Sequence, residues 1–202
     1  MNDPAGAESA FSFTQIRQMV LGALMAALMA VGAYIAIPVG PVPIVLQNMF
    51  VMLAGLILGP WWGAASVGIY LLAGALGMPV FSGGNAGLSH FMGPTGGYLI
   101  AYLPAVFVIG VVSSLGKKDR RGSASSVNKK VIILDILAMI LGMAVVYALG
   151  VSRLKFMAGI TWEKAWALGM APFLIGDAIK IATSASLAAG FRGMLSRYET
   201  EG

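Results

Sequence analysis

The sequence predicts an all-α membrane protein: one bundle of six transmembrane helices with both ends of the chain in the cytoplasm. Three observations carry that expectation. Of 202 residues, 58% are hydrophobic and 10% charged, with a mean hydropathy of +0.86, whereas a soluble domain carries roughly 25% charge. The apolar residues fall into runs separated by glycine- and proline-rich joints, with room for a handful of spans of about 20 residues and no sizeable soluble domain. Positive charge is concentrated in "GKKDRRGSASSVNKK", six Lys or Arg against one Asp, and short loops that basic stay in the cytoplasm. The net charge of +5 is therefore a topology signal, and no nucleic-acid partner is expected.

The six spans are drawn at Ile16 to Ile37, Ile44 to Leu58, Trp61 to Leu76, Gly97 to Leu115, Val131 to Gly150 and Ala167 to Gly190. The first reads as a helix of the mature protein. It is longer than the 7 to 15 residues of a signal-peptide apolar segment, and acidic Asp3 and Glu8 precede it with only one Arg. The second and third are short for a core of ~30 Å, which implies unusual tilt, a break or a merger. Counting from the basic loop puts "IPVGPVP" and "GGNAGLSHFMGPTGGY" on the outer face. It puts "GPWWG" on the inner face, where Trp61 and Trp62 suit an interfacial aromatic belt. The chain divides into a cytoplasmic tail over 1–15, one membrane domain over 16–191 and a cytoplasmic tail over 192–202.

Several chemistries are excluded. There is no cysteine and a single histidine, so no thiolate or multi-histidine metal cage can form, and no metal or cofactor is expected. Neither a Walker A pattern nor a dinucleotide fingerprint is present, so the chain has no visible ATP site.

Small residues recur at helical spacing in "ALMAALMA". Ala23 with Ala27, and Ala26 with Ala30, make neighbouring small stripes on the first span, a surface that lets another helix of this chain or of a different protein approach closely. Ionisable residues inside the spans are sharper signals. Asp177 and Lys180 lie three apart and share a helix face. Each costs ~2.5 to 3.5 kcal/mol at a helix centre, so the pair either cancels itself or lines a ligand cavity open to the outside. Asp135, near Lys129 and Lys130, reads as structural at the inner interface. Gln47, Asn85, Thr95 and Tyr98 can complete a cavity around the pair. Six glycines in residues 83–98 then make sense, because irregular backbone at membrane depth is tolerated where it is buried or lines a cavity. Tyr98, Tyr102, Trp162 and Trp166 suit either ligand stacking or belt anchoring, and His90 reads as a loop residue with local bonds. Amide, carboxylate and ammonium together suit a neutral cyclic urea or amide, with or without an attached carboxylate.

The segments "GPVPIVLQN", "GALGMPVFSGGNAGLSHFMGPTGGYLIAY" and "GDAIK" closely resemble the BioY family, the biotin-specific S components of energy-coupling-factor transporters. The resemblance runs from the first span to the sixth. It implies a six-helix bundle in a prokaryotic plasma membrane that binds biotin near its outer face. Pro38, Pro41 and Pro43 would belong to the lid loop, and Gln47, Asn85, Asp177 and Lys180, with Tyr98, to the binding site. Ala23, Ala26, Ala27 and Ala30 would dock on a coupling protein of the EcfT type, and two ATP-binding-cassette ATPases would supply energy. Asp177 and Asn85 are matched to the ureido group of biotin, and Lys180 to its ureido oxygen or its carboxylate. An autonomous secondary transporter would use the same buried charges for ion coupling. An intramembrane enzyme would need a second carboxylate or a nucleophile that the pattern lacks.

Overall fold

The computed structural model describes residues 12–118 and 129–201. Helix α1 (Phe13–Tyr34) opens before the predicted span because Ser12 and Gln15 form a capping box: the Ser12 side chain accepts from the Gln15 amide at 3.3 Å, and the Gln15 side chain accepts from the Ser12 amide at 2.9 Å. The helix stops short of Ile37, since Pro38 disfavours helical backbone in the residue before it. The chain passes instead into a two-stranded antiparallel hairpin, β1 (Ala36–Ile37) and β2 (Ile44–Val45), pairing Ala36 with Val45 and Ile37 with Ile44. The proline-rich stretch 38–43 is the tip of this hairpin.

The second and third predicted spans are the two halves of α2 (Gln47–Ala75), broken without a loop at Gly59, where φ is 80° and ψ −172°. That backbone is nearly confined to glycine, and Pro60 then removes the next amide donor. Residues nine apart in a straight helix are separated by about 13.5 Å, yet a Cβ at Gly63 would lie 3.2 Å from the Ala54 carbonyl oxygen. The chain therefore doubles back at the break. The returning half reaches the hairpin end of the bundle, where the Tyr70 hydroxyl donates to the Val80 carbonyl at 3.1 Å and the Gly87 amide to the Gly74 carbonyl at 2.7 Å.

A short helix α3 (Ser89–Met92) leads into α4 (Gly96–Lys118), which crosses so close to the break that a Cβ at Gly110 would meet the Pro60 nitrogen at 2.3 Å. Helix α5 (Lys129–Ala158) runs two turns past the predicted end and carries Arg153 with it. The last predicted span is divided into α6 (Trp162–Gly169), capped by Thr161, and α7 (Leu174–Glu201), joined by a tight turn at Ala171–Phe173 that holds Pro172.

Among the described residues, five helical runs are long and apolar enough to cross a membrane. The broken α2 contributes two crossings, so the count is six. Six crossings return the chain to the end where it began. The start of α1, the finish of α7 and the helix ends flanking 119–128 share that end; the hairpin, α3 and α6 share the other. The centre of the basic loop, Asp3 and Glu8 lie outside the described residues, as does the side chain of Arg197.

At the end opposite the hairpin, Asp135 is 1% exposed. It accepts from Arg192 at 2.6 and 3.2 Å and from the Ser113 hydroxyl at 2.7 Å. Arg192 also donates to the Leu56 carbonyl at 3.1 Å. In an unbroken helix that carbonyl would accept from the amide of residue 60, which proline does not have. One arginine thus joins α7 to α5 and compensates the break in α2.

Candidate functional site

A cavity of about 50 Å³ lies at the hairpin end, between the hairpin, the 82–95 segment, the start of α2, α4, α5 and the start of α7. Its polar side is a buried cluster. Asp177 and Lys180 are 4% and 7% exposed. Asp177 sits in the first turn of α7, closer to the helix end than a span starting at Ala167 would put it, and the helix dipole there favours a carboxylate. Its Oδ1 accepts from Asn48 Nδ2 at 2.9 Å and from Lys180 Nζ at 3.2 Å, and its Oδ2 accepts from the Tyr147 hydroxyl. Lys180 leans back along the helix towards Asp177, as helical side chains do. Its ammonium also donates to Asn48 Oδ1 at 2.8 Å and to the Val45 carbonyl at 2.8 Å.

Gln47 lines the same cavity at 1% exposure, and its Nε2 faces the Tyr70 hydroxyl without a well-formed hydrogen bond. An unmet buried donor costs ~1 to 3 kcal/mol. The cavity thus offers a donor at Gln47 and an acceptor at Asp177 Oδ2, which one internal bond leaves with spare capacity. The remaining walls are apolar or aromatic, with Tyr98, Tyr102, Val146 and Phe173 among them. Tyr98 is held rigidly. A Cβ at Gly150 would fall 2.4 Å from its ring and one at Gly169 2.4 Å from its hydroxyl, which donates to the Gly169 carbonyl at 2.8 Å.

Asn85 stands apart from this cavity. It is exposed, donates to the Ser82 carbonyl at 2.6 Å, and lines a larger outer cleft of about 400 Å³. Pro43, Ser82, His90 and Thr95 line both spaces, which therefore adjoin. His90 stacks on Phe81, with centroids 5.2 Å apart, and lies 3.3 Å from the Thr95 hydroxyl; burial pushes its pKa below the usual 6.5. The short helix carrying it is braced by Arg153, which donates to the Phe91 and Met92 carbonyls at 3.3 Å each. Gly83, Gly84 and Gly87 adopt φ of 71°, 78° and 90°, the positive angles that glycine accommodates freely.

Gln47, Tyr98, Asp177 and Lys180 thus meet around one cavity, with Pro43 in its hairpin wall and Pro38 and Pro41 exposed further out on the hairpin. Trp162 and Trp166 are exposed at the bundle surface, where Lys155 lies 5.0 Å from the Trp162 ring. The two alanine stripes separate. Ala26 is buried and Ala30 half-buried against the bundle, whereas Ala23 and Ala27 face outwards beside exposed Val20, Leu24 and Val31. Sequence reasoning missed Asn48 and Tyr147. Asn48 adjoins Gln47, and in the first turn of a helix both neighbours can face the bundle; Tyr147 stands in an apolar stretch of α5 whose nearest polar residue in sequence is Ser152, so only tertiary contact reveals its role.

The profile of the BioY family matches residues 6–197. The chain is 40% identical to the probable biotin transporter BioY of Pyrococcus horikoshii, over 88% of this chain and 97% of that one. It is 37% identical to the biotin transporter BioY of Thermotoga maritima, over 86% and 94% of the two chains, and 41% identical to that of Rhizobium etli, over 85% and 90%. The crystal structure at 2.1 Å of the S-component for biotin from an ECF-type ABC transporter superposes with a TM-score of 0.79 at 31% identity, covering 91% of this chain and 95% of that one. With a six-crossing bundle, a buried polar cavity and matches along nearly its whole length, this multi-pass membrane protein belongs to the BioY family.

Proposed function

We propose that the chain is the biotin-binding subunit of an energy-coupling-factor importer, capturing biotin at the outer face of a prokaryotic plasma membrane. The observation that carries this reading is the pairing, in one cavity, of the poorly met Gln47 donor with the spare acceptor of Asp177. A ureido group presents one carbonyl acceptor flanked by N–H donors. Its oxygen suits Gln47 Nε2 and one N–H suits Asp177 Oδ2. The thioether ring packs among Tyr98, Tyr102 and Phe173, and the carboxylate tail leads towards the wall shared with the outer cleft, where Asn85 stands at the mouth. In this reading the chain is a binding subunit and draws its energy from a coupling protein of the EcfT type and two ATPases. The exposed Ala23 and Ala27 stripe supplies a close-approach surface for that coupling protein.

The test is calorimetric titration of the purified protein in lipid nanodiscs with biotin, desthiobiotin and thiamine. Saturable binding selective for biotin is expected, and Asp177→Asn should weaken it at least about tenfold by giving an N–H ligand donor no carboxylate. No binding by folded wild-type protein would refute the biotin reading and favour a secondary transporter coupled to ions.

A further inference from the structure

Helices α5 and α7 are joined by two polar contacts, the Tyr147 hydroxyl to Asp177 towards the hairpin end and Arg192 to Asp135 at the opposite end. On the outside of the bundle between these contacts the helices part, because Ala144, Ala178 and Ala182 present only methyl groups there. The gap is a groove of about 570 Å³ whose remaining walls are mainly aliphatic. Met143, Tyr147 and Asp177 line both this groove and the ligand cavity, so the two spaces are back to back. We propose that the groove is a binding site for one acyl chain of a phospholipid in the leaflet at the hairpin end.

Position and length select this occupant. Both helices belong to membrane-spanning runs. At one end of the groove, Met170 follows directly on α6, where Trp162 and Trp166 are exposed, and exposed indoles sit at the level of the lipid headgroups. From there the lining runs from Leu174 to Ala182 on α7 and from Tyr147 to Ile136 on α5, about 12 and 16 Å of helix. The hydrocarbon of one leaflet is about 15 Å deep, half of the ~30 Å core. The groove therefore begins at the headgroup boundary and ends near the middle of the membrane, while α7 continues about 15 Å further to Arg192. A transmembrane helix from another subunit would need a seat along both leaflets. An acyl chain needs one. Left empty, the groove would forfeit dispersion contacts along its whole lining, and in lipid such close packing is a main source of attraction. The seated chain lies against Tyr147 and forms the outer backing of the ligand site.

Nanodiscs of phosphatidylcholine carrying a diazirine midway along one acyl chain probe the site. After irradiation and peptide mapping, adducts should concentrate on the α5 and α7 peptides of the groove. They should be lost from those peptides in Ala178→Phe, whose ring fills the groove, or in Ala182→Phe if the first variant does not fold. Adducts at Ile69 and Leu72, exposed on the second half of α2, should stay as in the parent. Native mass spectrometry after transfer to detergent should find a phospholipid retained by the parent and lost from the phenylalanine variant. Adducts spread evenly over both faces, or retention unchanged by the phenylalanine, would overturn the proposal. A dimer without lipid that Ala178→Phe dissociates would overturn it in favour of a second copy of the chain. None of these readouts uses biotin, so their failure and that of the biotin reading are distinguishable.

Discussion

Gln47 is fully buried with its donor only weakly met by the Tyr70 hydroxyl, a shortfall that a ligand recovers. Replacing it with methionine, similar in length and without the donor, should therefore separate two quantities that usually move together. Thermal unfolding in nanodiscs should shift upwards, because removing an unsatisfied buried group relieves ~1 to 3 kcal/mol, while biotin affinity measured by calorimetry falls. A variant that loses stability together with affinity would place Gln47 in the structural framework. At this scale the sequence was informative where polarity was out of place. Asp177, Lys180 and Gln47 stood out against apolar surroundings, and the structure gathers them. Asn85 stood out equally, but its amide closes the turn with Ser82, and nothing in a linear pattern distinguishes a side chain that bonds its own loop from one that faces a cavity. The triple saturation of Lys180 was illegible for a related reason, since two of its acceptors lie 132 and 135 residues away in sequence.

The broken α2 is the element whose form depends most on a single backbone geometry. Outside its own stretch of helix, no atom lies within 4 Å of where a Cβ at Gly59 would sit, so Gly59→Ala probes φ and ψ with no steric contribution from the rest of the bundle. It should lower stability by about 1 to 3 kcal/mol, read as a shift in the denaturation midpoint in mixed micelles. An unchanged midpoint would mean that the break is held by Pro60 and the packing of Gly110 alone. The two short apolar runs already implied a break or merger near "GPWWG", because neither was long enough to cross independently with comfort. The division of the last span into α6 and α7 was less visible. Pro172 is tolerated in the first turn of a helix, so it marks a new start as readily as an interruption within the apolar run, and the choice is made by Gly169 fitting against the Tyr98 hydroxyl.

Across the whole molecule, α7 is attached to the first half of α2 by polar groups near both ends: Lys180 and Asp177 to Asn48 at the hairpin end, and Arg192 to Leu56 at the other. The Arg192 contact should dominate the stability of the bundle. Arg192→Met leaves Asp135 charged and buried, and should cost ~3 to 5 kcal/mol; adding Asp135→Leu should recover much of that loss, leaving the Leu56 carbonyl and the Ser113 hydroxyl to account for the remainder. Equilibrium unfolding of the single and double variants checks this, and equal losses in both would assign the cost to the α2 break instead of the ion pair. The two pairs also share an electrical property. Asp177 with Lys180, and Asp135 with Arg192, are each a pair of opposite formal charges. The buried clusters therefore supply no gating charge on which a membrane voltage could act. A carboxylate-bearing cargo moving into an inside-negative cell would travel against the field at ~2.3 kcal/mol per charge per 100 mV, and these balanced pairs offer no opposing charge displacement to offset that work.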